Sequence, residues 1–299
     1  MTGPAVRVAA QAKLNLHLRV LAREESGFHS LETVFHRIDL ADDIVVEVTE
    51  GERTIDVAGA DAGPPESNLA LRAAQAYASQ TGWPLGFRIL LDKRIPTGAG
   101  LGGGSADAAA VLRALDSMSP NPIGSHALML IASSLGSDVP FLASEAVMAL
   151  AWSRGERMLA LSPLPQYDLL LMAPDFSVST SDAYRWLDED RAATVDDASH
   201  VELDPIAIGP LELSSWTAVG KFARNDFEGP VAKRHPALAG YLERLRSSRA
   251  VFAQMTGSGS TIFGVLDSPP NYSRIPDEHR GRVTTTRTSI DVVQPIRVG

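Results

Sequence analysis

The chain has 299 residues, enough for two domains of ordinary size, and its 44% hydrophobic and 21% charged residues are typical of a globular enzyme. The formal net charge is −9 and no long run of Lys or Arg occurs, which argues against nucleic acid or an acidic membrane surface as the main partner. Cysteine is absent, so disulfides and thiolate chemistry are excluded. No apolar run approaches the roughly 20 residues of a membrane span, and a strand-like segment from Val6 leaves no room for a signal peptide. We therefore expect a cytoplasmic protein.

The first clear pattern is at residues 13–20, which alternate strictly between polar and apolar side chains and predict a strand with one apolar face. The polar side chains must share the opposite face: Lys13, Asn15, His17 and Arg19. A solvated face is the plain interpretation of this alternation. We expect His17 and Arg19 in particular to point to solvent.

Helices and strands follow along the chain without a regular repeat. An Ala- and Leu-rich segment predicts a helix from Asn68 to Ser79, capped by Ser67 or Asn68. A second helix is expected to begin near Ser105, and further helices are predicted over 125–135 and near 181–190 and 236–247. Strands are predicted at 43–48, 86–91, 145–151, 167–172, 250–255 and 261–266.

This mixture of elements predicts an α+β fold. A Pro-containing turn at 163–165 suggests a division into two domains, residues 1–160 and residues 161–299. The tail after Asp267 has no clear pattern.

The most informative segment is residues 95–109, Ile-Pro-Thr-Gly-Ala-Gly-Leu-Gly-Gly-Gly-Ser-Ala-Asp-Ala-Ala. It follows a predicted strand and opens a predicted helix, and glycine fills five of the seven positions 98–104. Glycines let a backbone approach a ligand closely, and the N–H groups at a helix start favour an anion such as phosphate. Ser105 can cap the helix or offer its hydroxyl to a phosphate or a metal-bound water. Asp107 is favoured in the first turn by the helix dipole, with or without a function.

Two other known loops share part of this pattern. Gly98, Gly100 and Gly103 match the spacing of a dinucleotide-binding loop, but the acidic residue near the required distance, Asp116, falls inside the predicted helix instead of ending a strand. A Walker loop would need Gly-Lys-Ser or Gly-Lys-Thr, which does not follow the glycines of this chain. Phosphate binding is the favoured interpretation, and dinucleotide binding by an oxidoreductase is the weaker alternative.

Residues 96–109 resemble the phosphate loop of the GHMP kinases, the family of galacto-, homoserine, mevalonate and phosphomevalonate kinases. Residues 12–16 (Ala-Lys-Leu-Asn-Leu) resemble the family's first motif and residues 256–261 (Thr-Gly-Ser-Gly-Ser-Thr) its third, so the similarity spans nearly the whole chain. The resemblance implies the two-domain GHMP kinase fold, with an N-terminal domain like domain 2 of ribosomal protein S5 and a ferredoxin-like C-terminal domain. It also implies an ATP-dependent small-molecule kinase that uses Mg²⁺.

The resemblance also assigns the ATP site. Asn68 and Lys93 correspond to positions near the nucleotide base, and Ser105 is the candidate that helps to hold Mg²⁺. The expected phosphate-binding residues are Pro96, Gly98, Ala99, Gly100, Leu101, Gly102, Gly103, Gly104 and Ser105.

Residues 135–141 (Leu-Gly-Ser-Asp-Val-Pro-Phe) resemble the family segment that carries the catalytic aspartate, so Asp138 is the candidate base. Lys13 is the candidate cation that keeps Asp138 ionised and offsets charge in the transition state. Asn15 shares the strand face of Lys13 and is expected to touch the same substrate. The plain alternative for Asp138 is a turn or cap residue after Gly136.

Gly27-Phe28-His29 resembles a Gly-Tyr-His segment in the branch of the family that phosphorylates 4-diphosphocytidyl-2-C-methyl-D-erythritol, in the non-mevalonate route to isoprenoid precursors. In that branch the aromatic ring stacks on cytosine and the histidine hydrogen-bonds it, so Phe28 and His29 are expected to bind the base. The chain departs from the pattern at Gln11, where proline is usual, and at Phe28, where tyrosine is commoner. The second change keeps the stacking face.

The resemblance extends the substrate site to residues from both halves of the chain. Residues 13–35 of the first domain are expected to line it, together with Gly257 and Ser258. Tyr184 is expected as the ring opposite Phe28, with a core helix residue as the alternative. Other GHMP kinases, of the homoserine or mevalonate type, and an inactive binding protein on the same fold remain alternatives. We expect a monomer or a homodimer.

Overall fold

The computed structural model describes residues 3–23, 27–59, 63–194, 208–247, 250–269 and 283–298. The strands in these ranges are β1 (Ala5–Arg23), β2 (His29–Thr49), β3 (Arg53–Gly59), β4 (Gly86–Lys93), β5 (Met148–Ser153), β6 (Arg157–Leu161), β7 (Asp168–Met172), β8 (Ala250–Met255), β9 (Ile262–Leu266), β10 (Val283–Arg287) and β11 (Ile296–Val298). The helices are α1 (Leu69–Thr81), α2 (Gly103–Met118), α3 (Gly124–Leu135), α4 (Val139–Ala143), α5 (Thr180–Thr194), α6 (Trp216–Phe222), α7 (Glu228–Arg234) and α8 (Ala237–Ser247). Every helix and strand predicted from periodicity overlaps an observed element of the same type, which confirms the α+β class.

The larger sheet has the strand order β11-β1-β2-β4-β3, with β5 paired to β2 and β6 paired to β5. Its centre is the long antiparallel hairpin of β1 and β2. β2 also pairs with two other strands: its residues 43–49 pair with β4, and its residues 31–36 pair with β5. Helix α2 packs on β1, β2 and α1. The N-cap prediction for α1 is confirmed, since the side chain of Asn68 accepts a hydrogen bond from the Ala70 N–H at 2.9 Å.

The smaller sheet is antiparallel with the order β10-β7-β9-β8, and α8 packs on β8 and β9. β10 lies in the tail whose sequence gave no clear pattern, as does β11, which returns to pair with β1 in the larger sheet. The predicted division at residues 160 and 161 stays a prediction, since strand pairing defines sheets and does not define units that fold separately.

The prediction that His17 and Arg19 point to solvent is wrong. His17 is fully buried and Arg19 is 5% exposed. The chain that leads into α7 covers this part of β1: the Leu18 N–H donates to the Arg224 carbonyl at 2.8 Å, and the Phe222 ring lies 5.4 Å from the His17 ring. Burial lowers the pKa of His17 to about 4, and the positive charge of Arg19 acts in the same direction. Alternation identifies the two faces of a strand, but it does not say what covers them.

Candidate active site

The three segments that resemble family motifs meet through hydrogen bonds, although they are far apart in the chain. The Lys13 N–H donates to the Leu101 carbonyl at 3.0 Å, and the Thr261 N–H donates to the Ala99 carbonyl at 3.3 Å. The Asn15 N–H donates to the Thr256 hydroxyl at 3.0 Å. These bonds fix the strand that carries Lys13 and Asn15 between the two glycine-rich turns.

Part of the glycine requirement comes from this contact between turns. Gly100 has a φ of +77°, and a Cβ placed on it would collide with the carbonyl oxygen of Thr256. Gly257 has a φ of +58°, and its Cβ would be 2.8 Å from the carbonyl oxygen of Gly100. Both positions therefore need glycine whether or not a ligand is bound.

A cavity of about 540 Å³ opens where the three segments meet. All the predicted site residues line it except Leu101, Phe28 and His29. Leu101 is buried in the core, and its backbone carbonyl accepts the hydrogen bond from the Lys13 backbone N–H. The predicted Asn68, Lys93 and Ser105 are on its wall.

Helix α2 points its first turn into this cavity. It begins at Gly103, with Gly102 at the N-cap position and no side-chain cap, so Ser105 is not the cap that the sequence allowed. The first N–H groups of any α-helix lack intrahelical partners, which leaves this turn suited to an anion. Asp116 lies inside α2 and accepts hydrogen bonds from the Tyr77 hydroxyl and the Ile123 N–H, at 2.8 and 2.9 Å. It does not end a strand, as the dinucleotide alternative requires.

Beside this turn, Lys93 is held by two buried carboxylates. Its Nζ lies 2.5 Å from Asp42 and 2.7 Å from Asp107. Burial raises the pKa of Asp107, Lys93 opposes this, and the Asp42 charge adds to the rise. The second oxygen of Asp107, Oδ1, is buried without a hydrogen-bond partner in the described structure, and the residue lines the cavity. The Lys93 ammonium is therefore part of a structural ion cluster at the wall of the cavity.

Lys13 and Asp138 form an ion pair in the cavity, with Nζ and Oδ2 separated by 3.2 Å. Lys13 is 3% exposed, and its Nζ also donates to Asn15 Oδ1 at 2.7 Å. Asn15 is fixed in turn, because its Nδ2 donates to the Thr33 hydroxyl at 2.8 Å. Asp138 stands at the N-cap position of α4 but makes no side-chain cap bond, so its carboxylate is directed to Lys13.

A second cavity, of about 1270 Å³, contains Phe28 and His29. Phe28 is 56% exposed, and the Arg154 guanidinium lies 4.0 Å from its ring centre. The His29 ring stacks on Tyr184 with centroids 4.5 Å apart, and its Nε2 lies 2.9 Å from Asp188 Oδ1. The structure thus brings Tyr184 against His29, whereas the sequence-based expectation set it opposite Phe28.

Tyr184 joins the two cavities, since it lines both. Burial raises the pKa of its hydroxyl to about 12, and the nearby Asp138 carboxylate adds to the rise. The hydroxyl stays protonated at neutral pH and is a hydrogen-bond donor.

Sequence reasoning missed several residues that support the site. Asp188 anchors His29, Asp42 and Asp107 share Lys93, and Thr33 orients Asn15. Asn225 donates through Nδ2 to the carbonyls of Met255 and Gly257, which fixes the third motif. Asp107 lies in the phosphate-loop motif, but the motif does not reveal its bond to Lys93. The other four residues are in no recognisable motif, and only the tertiary structure brings them to the site.

Similarities to known proteins agree with this geometry. Residues 68–145 match the GHMP kinases N terminal domain, and residues 207–280 match the GHMP kinases C terminal domain. The chain belongs to the GHMP kinase family, whose members are ATP-dependent phosphotransferases, and it is an ATP-dependent small-molecule kinase.

The relatives point to one branch. The chain is 37% identical to 4-diphosphocytidyl-2-C-methyl-D-erythritol kinase of Solibacter usitatus over 86% of its length and 80% of the relative. It is 34% identical to the enzyme of the same name from Pelotomaculum thermopropionicum, over 95% and 98%. A crystal structure of 4-(cytidine 5'-diphospho)-2C-methyl-D-erythritol kinase matches with a TM-score of 0.75 and 34% identity, over 95% of this chain and 99% of that one. Homoserine kinase from Cytophaga hutchinsonii, at 18% identity and a TM-score of 0.69 over 98% and 97%, shares the fold.

The described residues contain no helix long and apolar enough to cross a membrane. Nor do they contain a group of three or more His, Asp and Glu residues placed to hold a metal ion.

Proposed function

We propose that this chain transfers the γ-phosphoryl group of ATP to the 2-hydroxyl of 4-diphosphocytidyl-2-C-methyl-D-erythritol, a step in the synthesis of isoprenoid precursors. The named relatives support this substrate. The observation that carries the proposal is the Lys13–Asp138 ion pair, which lines the same cavity as the glycine loop. Ser137 and Tyr184 line both this cavity and the one that contains Phe28 and His29.

In this reaction the substrate hydroxyl oxygen bonds to the γ-phosphorus and the bond to the β–γ bridging oxygen breaks, which gives ADP. Asp138 accepts the hydroxyl proton, for which it must be ionised. Lys13 holds the carboxylate in position through their 3.2 Å ion pair and offsets negative charge as the phosphoryl group moves. Asn15 holds the ammonium by its 2.7 Å bond, so the lysine needs little rearrangement. Phosphoryl transfer depends mainly on such alignment and charge neutralisation.

The N–H groups of the glycine loop and of the first turn of α2 hold the ATP phosphates in this proposal. The residues around them suit Mg²⁺, which prefers oxygen ligands and usually keeps several waters. Ser105 offers a hydroxyl on the cavity wall, and Asp107 Oδ1 is a buried carboxylate oxygen without a hydrogen-bond partner among the described residues. When bound, Mg²⁺ supplies neutralising charge to the phosphates.

Base recognition follows from the way His29 is held. A carboxylate can only accept hydrogen bonds, so Asp188 requires the proton on His29 Nε2, and Nδ1 of the neutral ring is then an acceptor. An acceptor matches the exocyclic amine of cytosine and repels the carbonyl that uracil has in its place. The exposed ring of Phe28 provides a stacking surface.

The first test is release of ADP by the purified chain with 4-diphosphocytidyl-2-C-methyl-D-erythritol, homoserine or mevalonate as acceptor. We expect turnover with the cytidyl compound alone. Equal or better turnover with homoserine or mevalonate would move the chain to another branch of the family. Homoserine and mevalonate kinases share the fold at 18% and 12% identity, which does not favour their substrates.

The second test concerns the base. Phe28→Ala and His29→Ala should each raise KM for the cytidyl substrate by roughly 10- to 100-fold, since base stacking and a buried hydrogen bond are each worth about 1–3 kcal/mol. KM for ATP should stay unchanged. His126→Ala, which removes an exposed imidazole outside both cavities, is the matched control. Wild type should reject the uridine analogue and His29→Ala should discriminate less; indifference of the wild type to the base would contradict the cytidyl assignment.

We further propose that the enzyme works in the cytoplasm with Mg²⁺·ATP, as a monomer or a homodimer. Size-exclusion chromatography with light scattering distinguishes the two oligomeric states.

A further inference from the structure

The two members of the Lys13–Asp138 ion pair are carried by different elements. Lys13 belongs to β1, whereas Asp138 stands at the N-cap position of α4. This helix has only 5 residues, and a helix so short is not stable without tertiary contacts. The position of the Asp138 carboxylate therefore depends on what holds α4 against the sheet.

The far end of α4 is held by Arg37, which is 2% exposed and belongs to β2. Its guanidinium lies within hydrogen-bond distance of four backbone carbonyls, those of Phe141, Leu142, Ser144 and Ala146, each at 2.9 Å. The last four carbonyls of an α-helix have no partner within the helix. Arg37 thus supplies hydrogen bonds to carbonyls at the end of α4 and directly after it.

Strand register places Arg37 next to Lys13. The two residues are paired across β1 and β2, so their side chains lie on the same face of the sheet. Two stacked rings, those of Phe35 and Phe141, follow between them with centroids 4.9 Å apart. The Lys13 ammonium lies 5.6 Å from the centre of the Phe35 ring, and the Arg37 guanidinium lies 5.1 Å from the centre of the Phe141 ring. Since Phe141 belongs to α4, the helix is packed between one cation at its start and another at its end.

The charge of Arg37 is costly to bury. Burial lowers the pKa of its guanidinium to about 9, and the positive charge of Arg113 acts in the same direction, while Glu145 opposes both. The group stays charged at neutral pH. Apolar residues often fill such a position without loss of stability, so the expense points to a need for the guanidinium fork. Here the fork ends on the helix that carries Asp138.

We propose that Arg37 is a positioning residue for phosphoryl transfer: by holding the end of α4, it keeps the Asp138 carboxylate beside Lys13 and the reacting hydroxyl. This inference rests on the proposed function, because it takes Asp138 as the base. Arg37 lines neither cavity, so it acts through the helix and not on a substrate. A displacement of about 1 Å at a reacting centre can cost about 10² in rate.

The test measures ADP release with the cytidyl substrate under saturating ATP. Arg37→Lys keeps the charge, but a single ammonium cannot reach four carbonyls, and Arg37→Met removes the charge and all the hydrogen bonds. We expect kcat to fall by roughly 10-fold in Arg37→Lys and by roughly 100-fold in Arg37→Met. KM for both substrates should stay within roughly 2-fold of wild type, because no binding group is removed. Each variant is assayed below its melting temperature, with folding checked by circular dichroism.

A double variant separates positioning of the base from other effects on the site. If Arg37 acts only through Asp138, Arg37→Lys should lower kcat no further in an Asp138→Asn enzyme, because the group that it positions has already gone. Fold-decreases that multiply in the double variant would mean that Arg37 supports the site by another route, and they would overturn the inference.

Arg113→Lys is the matched control, because Arg113 is a second buried arginine that bonds to a backbone carbonyl, that of Val293, far from α4 in the chain. We expect this control to keep the kcat of wild type. Wild-type kcat in folded Arg37 variants, loss of the fold in both of them, or an equal loss of kcat in the control overturns the inference. A fully active Asp138→Asn enzyme does the same. In each case the proposed function stands if wild type turns over the cytidyl substrate, and both fail if it does not.

Discussion

Replacing Asp138 by Asn retains the size of the side chain and removes its ability to accept a proton. If Asp138 is the base, kcat should fall by roughly 10²- to 10⁴-fold, the usual contribution of general base catalysis. Lys13→Met should cause a comparable loss, since the two charges lie 3.2 Å apart and act as one unit. At an effective dielectric constant of about 20, unit charges at that distance attract by about 5 kcal/mol, and desolvation offsets part of this.

The fold should tolerate both changes. Asp138 is 27% exposed, so water can solvate the new amide, and in Asp138→Asn the buried Lys13 keeps its 2.7 Å bond to Asn15. ATP binding should remain because the glycine loop is untouched. In the double variant, the fold-decrease in kcat should be smaller than the product of the two single fold-decreases, because the second substitution removes a group whose partner has already gone.

The assay is coupled ADP release under saturating ATP, with ATP affinity measured separately by calorimetry and folding by circular dichroism. Asp56→Asn provides a matched control, because it makes the same chemical change at an exposed carboxylate on β3 that pairs with Arg88, far from Lys13 and Asp138 in the chain. A folded Asp138→Asn enzyme with near-normal kcat would refute the base assignment. Losses that multiply fully in the double variant would show that the two residues act independently.

Two further predictions concern the phosphate loop and pH. Gly104→Ala should weaken ATP binding without lowering the melting temperature, because the new Cβ would lie 3.6 Å from Leu69, an ordinary contact, and alanine favours helix. Gly240→Ala in α8 is the control. Unchanged ATP affinity of Gly104→Ala would show that the phosphates do not approach this turn. Burial lowers the pKa of His17 and of His36 from 6.5 to about 4, so both bind fewer protons in the folded state and stability falls as pH drops through this range. The free energy of unfolding, measured with urea, should fall by about 2 kcal/mol per histidine between pH 7 and pH 5. His36→Gln should remove about half of this pH dependence. A free energy of unfolding that does not change with pH would contradict the burial argument.

The sequence predicts those parts of the site that depend on local chemistry. Glycines before a helix start, and a Lys and an Asn two residues apart on one strand face, can be recognised without tertiary structure. Arg154, which lies against the Phe28 ring, and Asp188, which bonds to His29, could not be predicted, because each becomes part of the site only through contacts between distant segments. Leu101 shows a related limit, since a residue inside a binding motif can belong to the core and act only through its carbonyl.

The proposed catalytic pair, Lys13 and Asp138, belongs to the larger sheet and its helices, yet its geometry depends on the smaller sheet. Gln254 of β8 donates to the carbonyls of Asn15 and Leu16, at 2.9 and 3.0 Å, and the Thr256 hydroxyl accepts the Asn15 N–H. Asn15 in turn holds Lys13. A displacement of β8 would therefore move the ammonium relative to Asp138. A shift of about 1 Å at a reacting centre can cost about 10² in rate. If Lys13 and Asp138 are the catalytic pair, we therefore expect the contact between the two sheets to be needed for full activity.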